Sequence, residues 1–439
     1  MKKIVASVGL AALGASGLHS APIPGLTEEG GKNWTASLTL RGFYDDNLNT
    51  IKDPHTDTFG IEISPSIAAG FRLTPTTTLS LGYVFSFKYY DDRPIQNSEK
   101  YDQSHIFNAS LDHAFSERYK ISATESFVIG QEPDILRTDN SMSTFQRLSG
   151  DNIRNDFRVA FDGQLTRLFG FEIGYENAFW DYAQKGEDFG DIDPITGAAT
   201  IIPSASGLLD RDENSVHLDS RWMIFPETVG VFGYKFKDVA YTGNEEIGTT
   251  TVFPFIVRSG DRNFREHSIY VGAEQTFRPD LTGAVRVGAS YLDYYNDFTD
   301  SGDSWAPYAV ANLRYTYQPD SFVEVGLSQD VNATDVAQSF GTSGNHFTLS
   351  EESTVVYGKV SHHITPQLVG SVLGQFQYSS VSGNSDVSEK DYQIGVNLSY
   401  QFAPHFSTEI GYNYDRLDSD ISGRNFDRNR VYIGVTGSY

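Results

Sequence analysis

The sequence predicts an all-β chain, a transmembrane antiparallel up-and-down β-barrel of about 18 strands behind a cleaved signal peptide. Three observations predict it. Long stretches alternate apolar and polar residues with a period of two. Short turns and long polar connections alternate along the chain. Aromatic side chains gather at both ends of the alternating stretches.

The chain opens Met1-Lys2-Lys3 and runs apolar and small from Ile4 to about Gly17. A basic start, a short apolar core and small residues near Ala15 to Ala21 have the form of a secretory signal. We assign 1–20 to that signal, 21–32 to a short periplasmic segment and 33–439 to the barrel. The apolar run is too short to span as a helix, and no other run approaches ~20 apolar residues.

From Trp34 onward the alternation is regular, and side chains on a strand point to opposite faces in turn. Trp34, Ala36, Leu38, Leu40 and Tyr44 alternate with Thr35, Ser37, Thr39 and Arg41. Phe59, Ile61, Ile63, Ile67, Ala69 and Phe71 oppose Gly60, Glu62, Ser64, Ser66, Gly70 and Arg72. Leu79, Leu81, Tyr83, Phe85, Phe87 and Tyr89 follow the tight connection at Pro75, where proline cannot donate into a ladder. At the far end Val431, Ile433, Val435 and Tyr439 share one face, with Arg428, Arg430, Tyr432, Gly434, Thr436 and Ser438 on the other. Such stretches outrun the ~5–6 residues usual for soluble strands.

Short turns recur near Pro75, Glu117, Arg167, Glu227, Pro279, Pro319, Pro366 and Pro404. Between them lie longer polar connections near 45–56, 91–100, 131–150, 181–213, 238–263, 294–304, 331–351, 380–388 and 415–425. Turns at one end and loops at the other, with an even strand number, are the layout of an outer-membrane barrel. Phe71, Phe115, Tyr119, Phe277, Tyr317, Phe402 and Phe406 lie beside the turns, and Tyr44, Phe59, Tyr89, Phe179 and Tyr414 near the loops. Two aromatic bands match the girdles at membrane interfaces. Two places fit poorly. Parity turns Glu125 outward with Ile121, Ala123 and Phe127, so it sits high or a bulge shifts the register. Ser353–Ile364 accepts either parity.

There is no cysteine, which excludes disulfides and thiolate chemistry. The net charge of -24 argues against nucleic acid as a partner. The inward faces hold charges of both signs, and a water-filled lumen or a braced wall would use the same residues. The expected pore-lining residues are Arg154, Asp156, Arg158, Glu172, Glu176, Asp219, Arg221, Glu274, Arg286 and Arg314. Arg41, Arg72, Lys88, Lys235, Lys237, Glu62, Asp112 and Glu409 share those faces. The acidic loop residues Glu187, Asp188, Asp191 and Asp193 lack the regular spacing of a calcium loop. His362 and His363 point to opposite faces and cannot chelate one metal together. No zincin motif, nucleophile elbow or phosphate loop occurs, so no catalytic residue, metal or cofactor is expected.

Several segments carry a family likeness. They are Glu266-His267-Ser268-Ile269-Tyr270-Val271-Gly272-Ala273-Glu274, the turn at Arg278-Pro279, and Arg286-Val287-Gly288-Ala289 followed by Tyr294-Tyr295-Asn296-Asp297. Glu125-Ser126-Phe127 with Gln131-Glu132-Pro133, and the closing Arg428-Asn429-Arg430, belong with them. The chain resembles the putative outer-membrane beta-barrel porin 2 family over nearly all of its mature length. That resemblance implies an outer-membrane pore, with some relatives placed in exopolysaccharide export, and it transfers no catalytic residue. The terminal aromatic Tyr439 likewise resembles the signal that such barrels show to the barrel assembly machinery. The expected function is therefore a passive channel for hydrophilic solutes or an exported polysaccharide, set among outer-membrane lipid and lipopolysaccharide. The alternative is a closed barrel whose acidic loops make it a structural or adhesive surface protein.

Overall fold

The computed structural model describes residues 33–93, 99–130, 151–186, 188–192, 199–249, 256–296, 304–336, 338–341, 344–382, 387–421 and 423–439. The segments assigned to the signal and to 21–32 lie outside them, as do Gln131-Glu132-Pro133. The first nine wall strands are β1 (Trp34–Asp45), β2 (Thr58–Thr74), β3 (Thr77–Tyr90), β4 (Tyr101–Ala114), β5 (Tyr119–Gly130), β6 (Asn152–Gln164), β7 (Phe169–Tyr182), β8 (Arg211–Phe225) and β9 (Thr228–Tyr241). The other nine are β10 (Phe264–Arg278), β11 (Leu281–Asp293), β12 (Ser304–Gln318), β13 (Ser321–Asn332), β14 (Glu351–Thr365), β15 (Leu368–Val381), β16 (Ser388–Ala403), β17 (Phe406–Ser419) and β18 (Phe426–Ser438).

These strands form one 18-stranded sheet in which each pairs antiparallel with its neighbours in sequence. β18 pairs with β1, Ile433 opposite Gly42, and that pairing closes the barrel. Closure satisfies every ladder edge, which a spanning sheet in lipid requires. The seam ends with the Tyr439 and Ala36 backbones exchanging hydrogen bonds of 2.8 and 3.1 Å. The Tyr439 ring lies 5.7 Å from that of Trp34. All eight short turns sit at the end where the described chain begins and finishes, and the long connections sit at the other.

The outward face is apolar and exposed: Ile61 57%, Val271 53%, Ile410 50% and Ile433 61%. Large aliphatic side chains left in contact with the surroundings along a whole sheet face suit lipid and not water. Phe115, Phe277, Phe402 and Phe406 are exposed beside the turns, and Phe59 and Tyr89 toward the loops.

Both ambiguous places resolve. The β5 ladders run without a bulge, so Glu125 faces outward opposite Phe157, and its carboxylate is hydrogen-bonded to Asn155 on the neighbouring strand. On β14 the inward residues are Glu351, Ser353, Val355 and Tyr357, while Val356 and Ile364 face out. The parity was ambiguous because the inner face there is itself part-apolar. Glycine explains how it packs: a Cβ on Gly326 would lie 2.4 Å from the Tyr357 ring, so only glycine leaves room.

The wall is not evenly curved. Lys235 on β9 reaches Asp330 on β13 at 2.8 Å. In a circular wall of 18 strands, positions four strands apart stand roughly 20 Å from each other. β9 to β13 therefore curl into a tight corner. Its inside is filled by Val239, Phe264, Leu292, Ala306 and Val331, all nearly fully buried. Connecting segments fold over the inner side of the same end. A short helix, α1 (Ala205–Leu209), capped by Ser204, packs on Tyr182. Arg262, fully buried, donates to the backbone carbonyls of Leu208 and Thr334 and stacks over Tyr241.

Candidate functional site

The inner wall is the candidate site, and its charges fall into two groups. In β8–β10 and β11 they interlock. Arg221 (β8) binds Glu172 (β7) at 2.8 Å, Asp162 (β6) at 3.7 Å, and Glu274 (β10). Arg286 (β11) binds Asp219 at 3.1 Å and Glu274 at 3.2 Å. His217 adds a contact to Glu172 at 3.2 Å, and the Tyr270 hydroxyl donates to Asp219. Just above, the fully buried Glu266 takes Lys237 at 3.0 Å and hydrogen bonds from Ser268 and Ser290, 2.7 Å each. Five of the expected pore-lining residues, Glu172, Asp219, Arg221, Glu274 and Arg286, thus form one brace across five strands. A charge so placed is neutralised at short range and projects little field into a lumen.

Apart from the buried Asp102 and the braced Asp162 and Glu172, inward charges of β4–β7 stay in reach of water. Glu176 and Asp112 are exposed, and Arg154, Asp156 and Arg158 are half-buried on one face of β6. Arg158 lies 3.0 Å from Asp156, whose side chain is 38% exposed. Glu176 sits across from Arg158 on β7, and Arg154 across from Trp180. Arg314 stands apart from both groups: it pairs with Glu324 at 2.9 Å near the turn end and lies over the Phe322 ring.

Some arginines are matched by two carboxylates each. Arg41 holds Glu62 at 2.6 Å and Glu409 at 2.5 Å, joining β1, β2 and β17 across the seam. Arg424, on the connection between β17 and β18, holds Glu389 at 2.7 Å and Asp335 at 2.8 Å. Burial tends to lower the Arg424 guanidinium, yet those two carboxylates keep it above its ordinary value. Burial, helped by the nearby Arg211, pushes Arg262 down, and burial pushes the Asp210 carboxyl at the end of α1 up. Arg41, Arg221, Arg286 and Arg424 together meet eight carboxylates, a local surplus of negative charge.

Sequence parity missed the partners Glu266, Asp330, Asp335 and Glu389, and the loop cations Arg262 and Arg424. Glu266, Asp330 and Glu389 carry a usable signal, since each has inward parity. The loop residues carry none. Among the described residues no group of three or more His, Cys, Asp or Glu side chains is placed to hold a metal ion. Asp188 and Asp191 fall in described backbone, but their side chains, with Glu187 and Asp193, lie outside what the structure describes.

A closed up-and-down barrel with an apolar outer belt and a charged interior defines a transmembrane barrel of the outer-membrane type. Residues 256–439, covering β10 to β18, match the family described as Putative beta-barrel porin 2. The resemblance drawn from the sequence holds over that stretch. No curated protein matches. Among solved structures the chain is similar to the outer membrane protein OpdK from Pseudomonas aeruginosa, at 13% identity and TM-score 0.42, covering 92% of this chain and 99% of that one. It is similar to OccK2 (OpdF) from the same organism, solved in complex with glucuronate, at 12% identity and TM-score 0.44, with 92% and 98% covered. It is also similar to a BenF-like porin from Pseudomonas fluorescens Pf-5, at 13% identity and TM-score 0.44, with 94% and 100% covered. The fold rests on the chain's own strand pairings and not on these likenesses.

Proposed function

We propose that the barrel is a passive outer-membrane channel for small hydrophilic solutes, with a preference for cations. The observation that carries this reading is the water-accessible charged face of β4–β7, with Asp112, Asp156, Arg158 and Glu176, beside a braced wall that has surplus carboxylate. Fixed charges along a wet path select by sign and size. The corner at β9–β13 and the inward packing of α1, Arg262 and residues 333–336 narrow the loop end. That favours small solutes over an exported polysaccharide.

The same inward packing supports a second reading, a closed barrel acting as a surface or adhesive protein. Liposome swelling separates the two. Vesicles holding the folded protein should admit small sugars and amino acids and exclude oligosaccharides of increasing size. Vesicles no leakier than protein-free ones would leave the closed-barrel reading in place.

Outer-membrane lipid and lipopolysaccharide would surround the apolar belt, and the barrel assembly machinery would insert it. Tyr439, 66% exposed at the seam, is placed to be read in that step. Its deletion should lower outer-membrane levels more than deletion of Asp53 in a long loop; equal levels would remove Tyr439 from that role.

A further inference from the structure

On the inner wall of β15–β17, toward the loop end, five side chains sit in nearly complete burial. Asp391 and Asn413 are 2% exposed, Asp415 1%, Gln375 5% and Gln393 1%. They are contiguous. Gln375 lies opposite Gln393, and Gln393 opposite Asp415. Asp391 is two residues from Gln393 on the same face, and Asn413 two from Asp415.

Their hydrogen bonding is incomplete in one direction. Oδ2 of Asp391, Oδ1 of Asp415, Oδ1 of Asn413 and both polar atoms of the Gln375 amide have no hydrogen-bond partner. Asp415 does receive Arg430, at 2.7 Å through its other oxygen. Asp391 receives only Gln393, and the charged neighbours acting on it, Asp415 and Glu389, are both acidic. Apart from the Gln375 amino group, every unmet atom is an acceptor. A buried carboxylate facing other carboxylates with oxygens unmet is costly unless it takes up a proton or a metal cation joins it. Water supplies donors but no charge.

We propose that this pocket binds a hard, oxygen-seeking cation of the calcium class. Asp391 Oδ2 and Asp415 Oδ1 would supply charge, and the Gln375 amide oxygen a neutral ligand, with waters completing the shell. Carboxylates mixed with amide oxygens are the donor set such ions take. The site ties three neighbouring strands together at the narrow end and does not depend on the barrel being a channel.

The test uses the whole barrel, folded in detergent, free of lipopolysaccharide and treated with EDTA. Calcium chloride should raise its unfolding temperature to a plateau and give a saturable heat by titration calorimetry. Asp391→Asn should abolish both responses, yet unfold no earlier than the parent in EDTA, because it removes an uncompensated buried charge. Gln375→Met should keep the fold and weaken calcium about tenfold or more, the scale expected for a lost supporting ligand. No calcium response in the parent, or an equal response in Asp391→Asn and Gln375→Met, overturns the proposal.

Discussion

The walls β4–β7 and β8–β11 carry the same kind of residues, acids and arginines at inward positions of long alternating strands, and use them in opposite ways. In β8–β11 Arg221 and Arg286 are buried among Glu172, Glu274 and Asp219, and the charges hold strands together. In β4–β7 Asp156, Arg158 and Glu176 meet water. Curvature accounts for the part of the difference that lies in β9–β13. Where β9–β13 turn tightly, opposing side chains are brought within reach and water is squeezed out. On β4–β7 Glu176 and Asp112 stay exposed, and Asp156 keeps 38% of its side chain open to water. A charged inward residue is thus structural or functional according to what the wall places across from it.

The largest expected effect tests the braced side. Glu266→Ala leaves Lys237 buried without its carboxylate and should cost about 3–5 kcal/mol in denaturant unfolding of the micelle-bound barrel. Glu176→Ala on the wet side should change stability by no more than ~0.5 kcal/mol. Equal losses would erase the distinction. Next, Arg424→Ala frees residues 333–336 from one of their anchors at the narrow end and takes from Glu389 and Asp335 the cation they share. Single-channel conductance should rise, and stability should fall by about 3 kcal/mol. Unchanged conductance would mean the path does not run past that clamp. A smaller effect sharpens the picture of the wet wall. Replacing Arg154 and Arg158 together by alanine should shift ion preference further toward cations with little loss of stability. The shift should fade in 1 M salt, where the Debye length is about 3 Å. If selectivity stays put while stability drops, those arginines brace the wall after all. The smallest concerns the outer face. Glu125→Gln should stabilise the inserted barrel by at most about 1 kcal/mol, since outward carboxylates are penalised less than arginine or lysine. A loss instead would give the Glu125–Asn155 pair a structural part.

The fold was legible because period-two alternation and loop segregation are local properties. Leu38 and Leu40 against Thr39 and Arg41 already declare which face meets lipid. The last strand declares itself in the same way through Val431, Ile433 and Val435. β14 was illegible because Val355 and Tyr357 fill space inside the barrel, an apolar demand that alternation reads as lipid. The inner wall was legible only in part. Parity puts Arg154, Asp156 and Arg158 on one face and Lys235 on the inside, but it cannot say that Lys235 meets Asp330 four strands away. That pairing follows from register and curvature, properties of the closed sheet. Arg262 and Arg424 lie in connections with no periodicity, so nothing in their spacing announces that they fold back into the mouth.

The most direct test of the central claim is reversal potential across a planar bilayer holding the purified barrel under a potassium chloride gradient. Folding is first confirmed by faster gel migration before boiling than after. The two-wall account predicts stepwise conductance with potassium favoured over chloride, and a preference that weakens as salt rises. A folded protein that leaves the bilayer silent, or that favours chloride, would contradict it.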